Sequence, residues 1–332
     1  MAAPDDGAAG LRAAVRRRFG AGAEIANLEQ PTLGGSSRTI LFDLVQGASR
    51  RRLVSRQVTF TGAGNPFLSA ADQFRLMALV HRHGFPAPEP VFGYDAEDAL
   101  GEGFVCAFVP GETMPKRILA DRSFADVRGR LASDCGALLA RLHAVDPVEA
   151  DFLAAASDSV DPLSAQASRL DTYGEAHPAI DFGLRWLVRN RPPPGSRVLL
   201  HGDFRIGNLM VGPEGVRAVL DWECAHLGTA AEELGWLCTR SWRFGHVDRI
   251  VGGFGALEDL LRAYARAGGP PVDPGEVRYW SIFGLVRWAI LNVWQSYGHM
   301  TGERASPVYA ACGRNTSLVE YDLLMTLAGH YR

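Results

Sequence analysis

HGDFRIGNLMV, residues 201–211, sets Asp203 and Asn208 five apart, with His201 ahead of them and Arg205 between. Its other residues are mostly small or apolar. The chain continues through NLMVGPEGVRAVLDWE (208–223), which reads as a small hairpin turning at GPEG and returning Asp221. A tight loop followed by a hairpin therefore presents an acid, a cation, an amide and a second acid. Phosphoryl transfer uses such a set. It needs a carboxylate to position the attacking hydroxyl, hard oxygen ligands for Mg²⁺, and cations beside the transferred phosphate. In this reading Asp203 and Arg205 are catalytic, and Asn208 and Asp221 are the metal ligands.

Working outward, RVLLHGDF enters the loop as a short strand. Far upstream, RTILFDLV (38–45) and RRLVSRQV (51–58) are β-branched, apolar runs joined by QGAS, a hairpin pattern. LGGSSR (33–38) is a glycine-serine turn leading into it. SAADQFRLMALVHRHG (69–84) has helical spacing and a glycine stop, and GEGFVCAFVPGE returns to a strand. From about 111 the pattern is helical. VRGRLASDCGALLARLHAVD (127–146) carries Leu131, Cys135, Leu138 and Leu142 on one stripe. The organisation expected is an N-terminal tail and short helix (1–24), a small sheet lobe with one helix (25–109), and a larger helical lobe (110–332). The first nine residues are expected to be disordered, and RRRFG (16–20) to be the solvated face of the short helix.

With 332 residues, 47% hydrophobic and 21% charged, the chain has the composition of a globular protein able to bury a full core. A net charge of −3 argues against a general nucleic-acid or membrane-surface binder. Cys106, Cys135, Cys224, Cys238 and Cys312 are scattered and form no C-x-x-C pair, as free thiols of a reducing compartment would be. MAAPDDGAAG lacks the apolar run of a signal peptide, and SIFGLVRWAILNVW (281–294) is too short for a membrane span and carries Arg287. A cytoplasmic protein is the expectation.

The H-x-D-x-x-x-x-N spacing matches the kinase catalytic loop, with Asp221 in the place of the kinase metal-binding Asp and Trp222-Glu223 replacing Phe-Gly. Together with VLDWECAHLGTAAEELGW (219–236), LLARLHAVD (138–146) and GFPAPEP (84–90), the sequence resembles the aminoglycoside phosphotransferase, or choline-kinase-like, family of small-molecule kinases over roughly residues 25 to 300. Within it the look is most like the kinase-like domains associated with acyl-CoA dehydrogenases, which share the D-W-E-x-A-H-L-G run of Asp221 to Gly228. The resemblance implies an α+β, two-lobed protein-kinase-like fold, ATP or GTP as donor, Mg²⁺, and a hydroxyl on a small molecule as acceptor. It lays Gly34, Gly35, Ser36 and Ser37 over the nucleotide phosphates. It gives Arg56 the part of the basic residue on the hairpin strand, leaving Arg50, Arg51 and Arg52 facing water. The partner glutamate of that residue falls at Gln73, which cannot form an ion pair but can accept a guanidinium hydrogen bond. Where relatives read G-D-P-x-x-D, this chain has Thr229, Ala230 and Glu233. Glu233 is expected to steady the catalytic loop, and Thr229 to cap a helix.

Other readings compete. His201 with His143 and His226 could suggest a metallohydrolase, but such a site needs about three convergent ligands, and His201 reads better as a brace for the loop backbone. Cys224 reads as a buried thiol rather than a nucleophile. Glu223, Trp242 and Arg287 are candidate substrate residues. Trp280, Arg287, Leu291 and Trp294 share a helical face, either as core packing or as an apolar acceptor wall on which Arg287 receives an anion. A polycationic aminoglycoside would favour carboxylates instead, so a hydroxyacyl-CoA or hydroxy acid is the acceptor expected. The rival class is a pseudokinase that binds a nucleotide or ligand without transfer. Gln73 and Thr229 favour it; Asp203, Asn208 and Asp221 oppose it.

Overall fold

Ile40, Phe42 and Leu44 are buried at alternate positions of β2 (Ser37–Gln46), as a strand with one face on a core requires. The computed structural model describes residues 6–31, 37–60 and 65–331, in two compact units, Met1–Pro110 and Gly111–Arg332. In the first, β2 turns at Gly47 (φ 57°) into β3 (Ser49–Val58). With β1 (Glu24–Glu29), β4 (Pro90–Gly93) and β5 (Gly103–Ala107) they form an antiparallel sheet ordered β1-β2-β3-β5-β4. Leu11, Ala14 and Val15 of α1 (Asp6–Phe19) join Phe42, Leu53 and Val105 in its core. α2 (Ala70–Arg82) begins at Ser69, whose Oγ accepts from the Asp72 N–H at 3.1 Å.

Three expectations fail in this unit. The N-terminal helix already starts at Asp6, within the stretch expected to be disordered. Its basic triplet is not merely solvated. Arg18 bonds Asp98 at 2.8 Å and lies 4.5 Å from the Phe92 ring centroid, and Arg17 pairs with Asp95 at 2.6 Å. Asp95 and Asp98 close a capping box on a 3₁₀ turn, and this fixes both carboxylates against the helix end. Similarly, Arg51 and Arg52 do not simply face water, because Arg51 pairs with Glu89 at 2.7 Å and Arg52 with Asp43 at 3.1 Å.

The second unit carries α3 (Pro115–Ala120), α4 (Ala125–His143), α5 (Ser157–Val160), α6 (Pro162–Thr172), α7 (Pro178–Arg189) and α8 (Ala230–Cys238). It ends in α9 (Leu257–Arg266), α10 (Pro274–Met300) and α11 (Pro307–Leu327). Two small antiparallel sheets lie among them. One pairs β6 (Arg197–Leu200) with β9 (His226–Thr229); the other pairs β7 (Leu209–Gly212) with β8 (Gly215–Val219). The core is centred on α10, where Ile282, Phe283, Val286 and Ile290 meet Ile180, Leu187 and Leu323. α4 and α9 approach closely at Gly136, where a Cβ would stand 2.4 Å from the Leu260 carbonyl oxygen. Among the described residues no helix is long and apolar enough to cross a membrane.

Candidate active site

β6 delivers the chain to His201 because its pairing with β9 sets Leu200 opposite His226. The next residue must be glycine. Gly202 has φ 78°, and a Cβ there would sit 2.0 Å from the Cys224 carbonyl oxygen. Glu233 of α8 then receives the backbone N–H groups of His201 and Gly202 at 2.6 and 2.9 Å. Burial alone would raise the pKa of Glu233, but His143, His201 and the backbone donor outweigh it and hold it below the usual range. The His201 ring has both nitrogens engaged. Nδ1 accepts from the Asp203 N–H at 3.1 Å, which leaves Nε2 to donate to the Leu220 carbonyl at 2.8 Å. Burial lowers its pKa and favours the neutral ring. With no ring nitrogen left for a metal, the ring ties the loop to the end of β8.

The Asp203 carboxylate is held by three side chains. Its Oδ1 accepts from Arg205 Nε at 2.9 Å and Trp236 Nε1 at 3.1 Å. Its Oδ2 accepts from Asn208 Nδ2 at 2.6 Å, and the same amide nitrogen reaches the Asp203 carbonyl at 2.9 Å. The amide nitrogen of Asn208 is thus committed, and its oxygen is the atom suited to a cation. The Leu220 N–H bonds the Asn208 main-chain carbonyl at 2.8 Å, so the hairpin returns to the loop one residue before Asp221. Asp221 occupies the left-handed region (φ 66°, ψ 62°), an uncommon conformation for a residue with a Cβ and one that recurs at functional sites.

Among the described residues no cluster of three or more His, Cys, Asp or Glu could hold a metal. One carboxylate and one amide oxygen are a sparse, hard donor set. That suits Mg²⁺, which keeps most of its coordination for water and phosphate oxygens.

The remaining sequence candidates fall as follows. Arg205 stacks on Trp242, its guanidinium carbon 4.9 Å from the ring centroid. Arg287 is 5% exposed and donates from Nη1 to the Gly202 carbonyl at 2.7 Å, so its guanidinium lies against the 201–208 loop. Trp280 and Trp294 on the same helix are also buried, and Trp242 packs between Trp236 and Trp288. Glu223 is half-buried on the turn after Asp221, and burial pushes the Cys224 thiol upward. Thr229 holds the N-cap position of α8 but makes no capping bond.

In the first unit Arg56 lies opposite Thr39 and donates from Nη2 to Ser37 Oγ at 3.1 Å. Gly34, Gly35 and Ser36 lie outside the described residues. The Gln73 amide nitrogen serves its own helix start, donating to the Leu68 carbonyl at 2.9 Å.

A model of the phosphotransferase enzyme family matches residues 28–278. The chain belongs to this family. It is 26% identical over 293 residues to acyl-CoA dehydrogenase family member 10 of Mus musculus, covering 80% of this chain and 27% of that protein. It therefore spans about a quarter of the length of this relative. A candidate aminoglycoside phosphotransferase from Ralstonia eutropha has a similar structure, with TM-score 0.69, 21% identity, and coverage of 98% of this chain and 99% of that one. The ternary complex of the phosphotransferase APH(2'')-IIa with streptomycin and ATP matches with TM-score 0.58 and 15% identity, over 87% and 93% of the two chains. The shared fold is kinase-like, an antiparallel-sheet N-terminal region followed by a mostly helical remainder.

Trp236, which bonds Asp203, was not singled out from the sequence. Its signal was present: it follows Glu233 by three residues on α8, so both fall on the face turned to the loop.

Proposed function

We propose that this chain transfers the γ-phosphate of ATP, or of GTP, to a hydroxyl of a hydroxyacyl-CoA or hydroxy acid. The observation that carries the reading is the Asp203 carboxylate, fixed by Arg205 and Asn208 in a loop to which the following hairpin is tied at Leu220, one residue before Asp221. In this reading the acceptor hydroxyl gives its proton to Asp203 as its oxygen bonds the γ-phosphorus. The bond from that phosphorus to the bridging oxygen breaks, and the nucleoside diphosphate leaves with the electron pair. Arg205 offsets charge on the transferred phosphoryl group, and Arg56 with Gly34 to Ser37 serves the nucleotide phosphates. Asn208 and Asp221 would hold Mg²⁺, which neutralises phosphate charge when bound.

The acceptor class is supported by chemistry and by kinship. Arg205, whose guanidinium lies over the Trp242 ring, stands beside Asp203, a setting that suits an anionic molecule better than a polycation. The resemblance to acyl-CoA dehydrogenase family member 10 points toward acyl-CoA chemistry. The pseudokinase reading draws on Gln73, whose amide nitrogen is engaged by Leu68 in the position where relatives place an acid.

Calorimetric titration of ATP and GTP, with and without Mg²⁺, into the protein and Asp221→Ala tests the reading. Metal-dependent binding that disappears in the variant is the expected result. Binding of neither nucleotide to the unaltered protein would reject it.

A further inference from the structure

Trp236 is 4% exposed and donates its only polar hydrogen to Asp203 Oδ1 at 3.1 Å. An indole N–H donates and never accepts, so this bond consumes one lone pair of that oxygen. Arg205 Nε, at 2.9 Å, consumes the other. Oδ2 carries one donor, Asn208 Nδ2 at 2.6 Å, which leaves it a free acceptor direction. The two carboxylate oxygens are therefore not equivalent: Oδ1 takes two donors from the protein and Oδ2 one.

The ring is itself held. The guanidinium carbon of Arg287 lies 4.7 Å from its centroid, and the Trp242 ring packs at 5.1 Å. Arg287 also bonds the Gly202 carbonyl at 2.7 Å. One buried cation thus touches both the backbone just before Asp203 and the indole that bonds its side chain. Burial works against the charge of Arg287, but surrounding groups that include Asp158, Asp203 and Glu232 more than compensate.

We propose that Trp236 is a positioning residue. With Arg205 it saturates Oδ1 and turns Oδ2 to the acceptor hydroxyl, while Arg287 keeps ring and loop in register. The inference rests on the phosphotransferase reading for its kinetic consequence and on geometry alone for the hydrogen bond.

Trp236→Phe removes the N–H and keeps most of the ring. The kinetic test is Mg·ATP hydrolysis, with water as the acceptor. The variant is expected to keep its melting temperature within a few degrees and its KM for ATP within about twofold, and to lose about 10- to 100-fold in kcat. Arg287→Lys, which can reach the Gly202 carbonyl or the ring but not both, should lose kcat in the same direction. A kcat for Trp236→Phe within twofold of the parent would overturn the proposal, as would a loss confined to KM or to stability.

The second measurement is the ¹H–¹⁵N indole spectrum of the parent, which also covers the case in which Trp236→Phe does not fold. The Trp236 resonance should move on Asp203→Ala, and its failure to move would overturn the bond itself. If Asp203→Asn hydrolyses Mg·ATP as fast as the parent, the phosphotransferase reading fails. The indole resonance then decides the inference separately.

Discussion

Replacing Glu233 by alanine removes the carboxylate that receives the backbone N–H groups of His201 and Gly202, at 2.6 and 2.9 Å. It also removes the acid 3.8 Å from His143 Nε2. Glu233 is 1% exposed, so water cannot readily take over. Hydrogen bonds to a charged group contribute about 1.5–3 kcal/mol each, and stripping one partner from a buried set costs about 3–5 kcal/mol. At roughly 2–4 °C per kcal/mol for a unit of about 220 residues, the melting temperature should fall by roughly 6–20 °C. Glutamine keeps one acceptor but turns a donor toward the second N–H, so Glu233→Gln should fall between parent and alanine. Because the folded-state pKa of Glu233 lies below its ordinary 4.5, its contribution is present above that value and is lost as pH falls through the folded pKa. Urea denaturation of parent and variants at pH 7 and in acid measures both effects. A loss below 1 kcal/mol for Glu233→Ala at pH 7, or a gap that widens in acid, would refute the brace.

Four further outcomes are expected. Asp203→Ala should lower phosphoryl transfer by about 10²–10⁴-fold while Mg·ATP affinity, read by calorimetry, stays within a few-fold. Gly136→Ala should destabilise by about 1–3 kcal/mol in urea, because a Cβ would meet the Leu260 carbonyl at 2.4 Å, with kcat per folded molecule unchanged. His226 is paired with Glu232 at 3.0 Å. Burial lowers its pKa, but the charge and hydrogen bond of Glu232 outweigh this and leave it raised above 6.5. Its stabilisation is thus full below 6.5 and lost as pH rises through the folded value, so the urea midpoint should decline with rising pH in the parent and less in His226→Gln; parallel curves would sink this. His201 runs the other way: its lowered pKa gives a contribution present above 6.5 and lost as pH falls, visible as a weakened acid-side decline in a His201→Asn variant if that folds.

The loop and hairpin were legible because their information is local. The five-residue separation of Asp203 and Asn208 and the GPEG turn need no distant partner to be read, and the N-terminal hairpin is an alternation of apolar residues around a glycine turn. What escaped depends on partners far along the chain. The helical wheel places Arg287 beside Trp280 and Trp294 but cannot show that its guanidinium ends on a carbonyl 85 residues earlier. Arg17 and Arg18 look solvated until the Asp95–Asp98 turn folds against them. Thr229 has the side chain of a capping residue at the capping position, yet makes no such bond. Trp236 needed only the step from Glu233 along α8, a clue that becomes useful once the loop is known to pack there.

The central claim is transfer of phosphate to a small-molecule hydroxyl through Asp203, and ³¹P NMR tests it most directly. Mg·ATP, a 3-hydroxyacyl-CoA and the protein are incubated together, with Asp203→Ala in parallel. The prediction is ADP and a new phosphate monoester resonance with the parent protein, and neither with the variant. A monoester formed equally by both proteins, or an ATP spectrum unchanged by the parent, would contradict it.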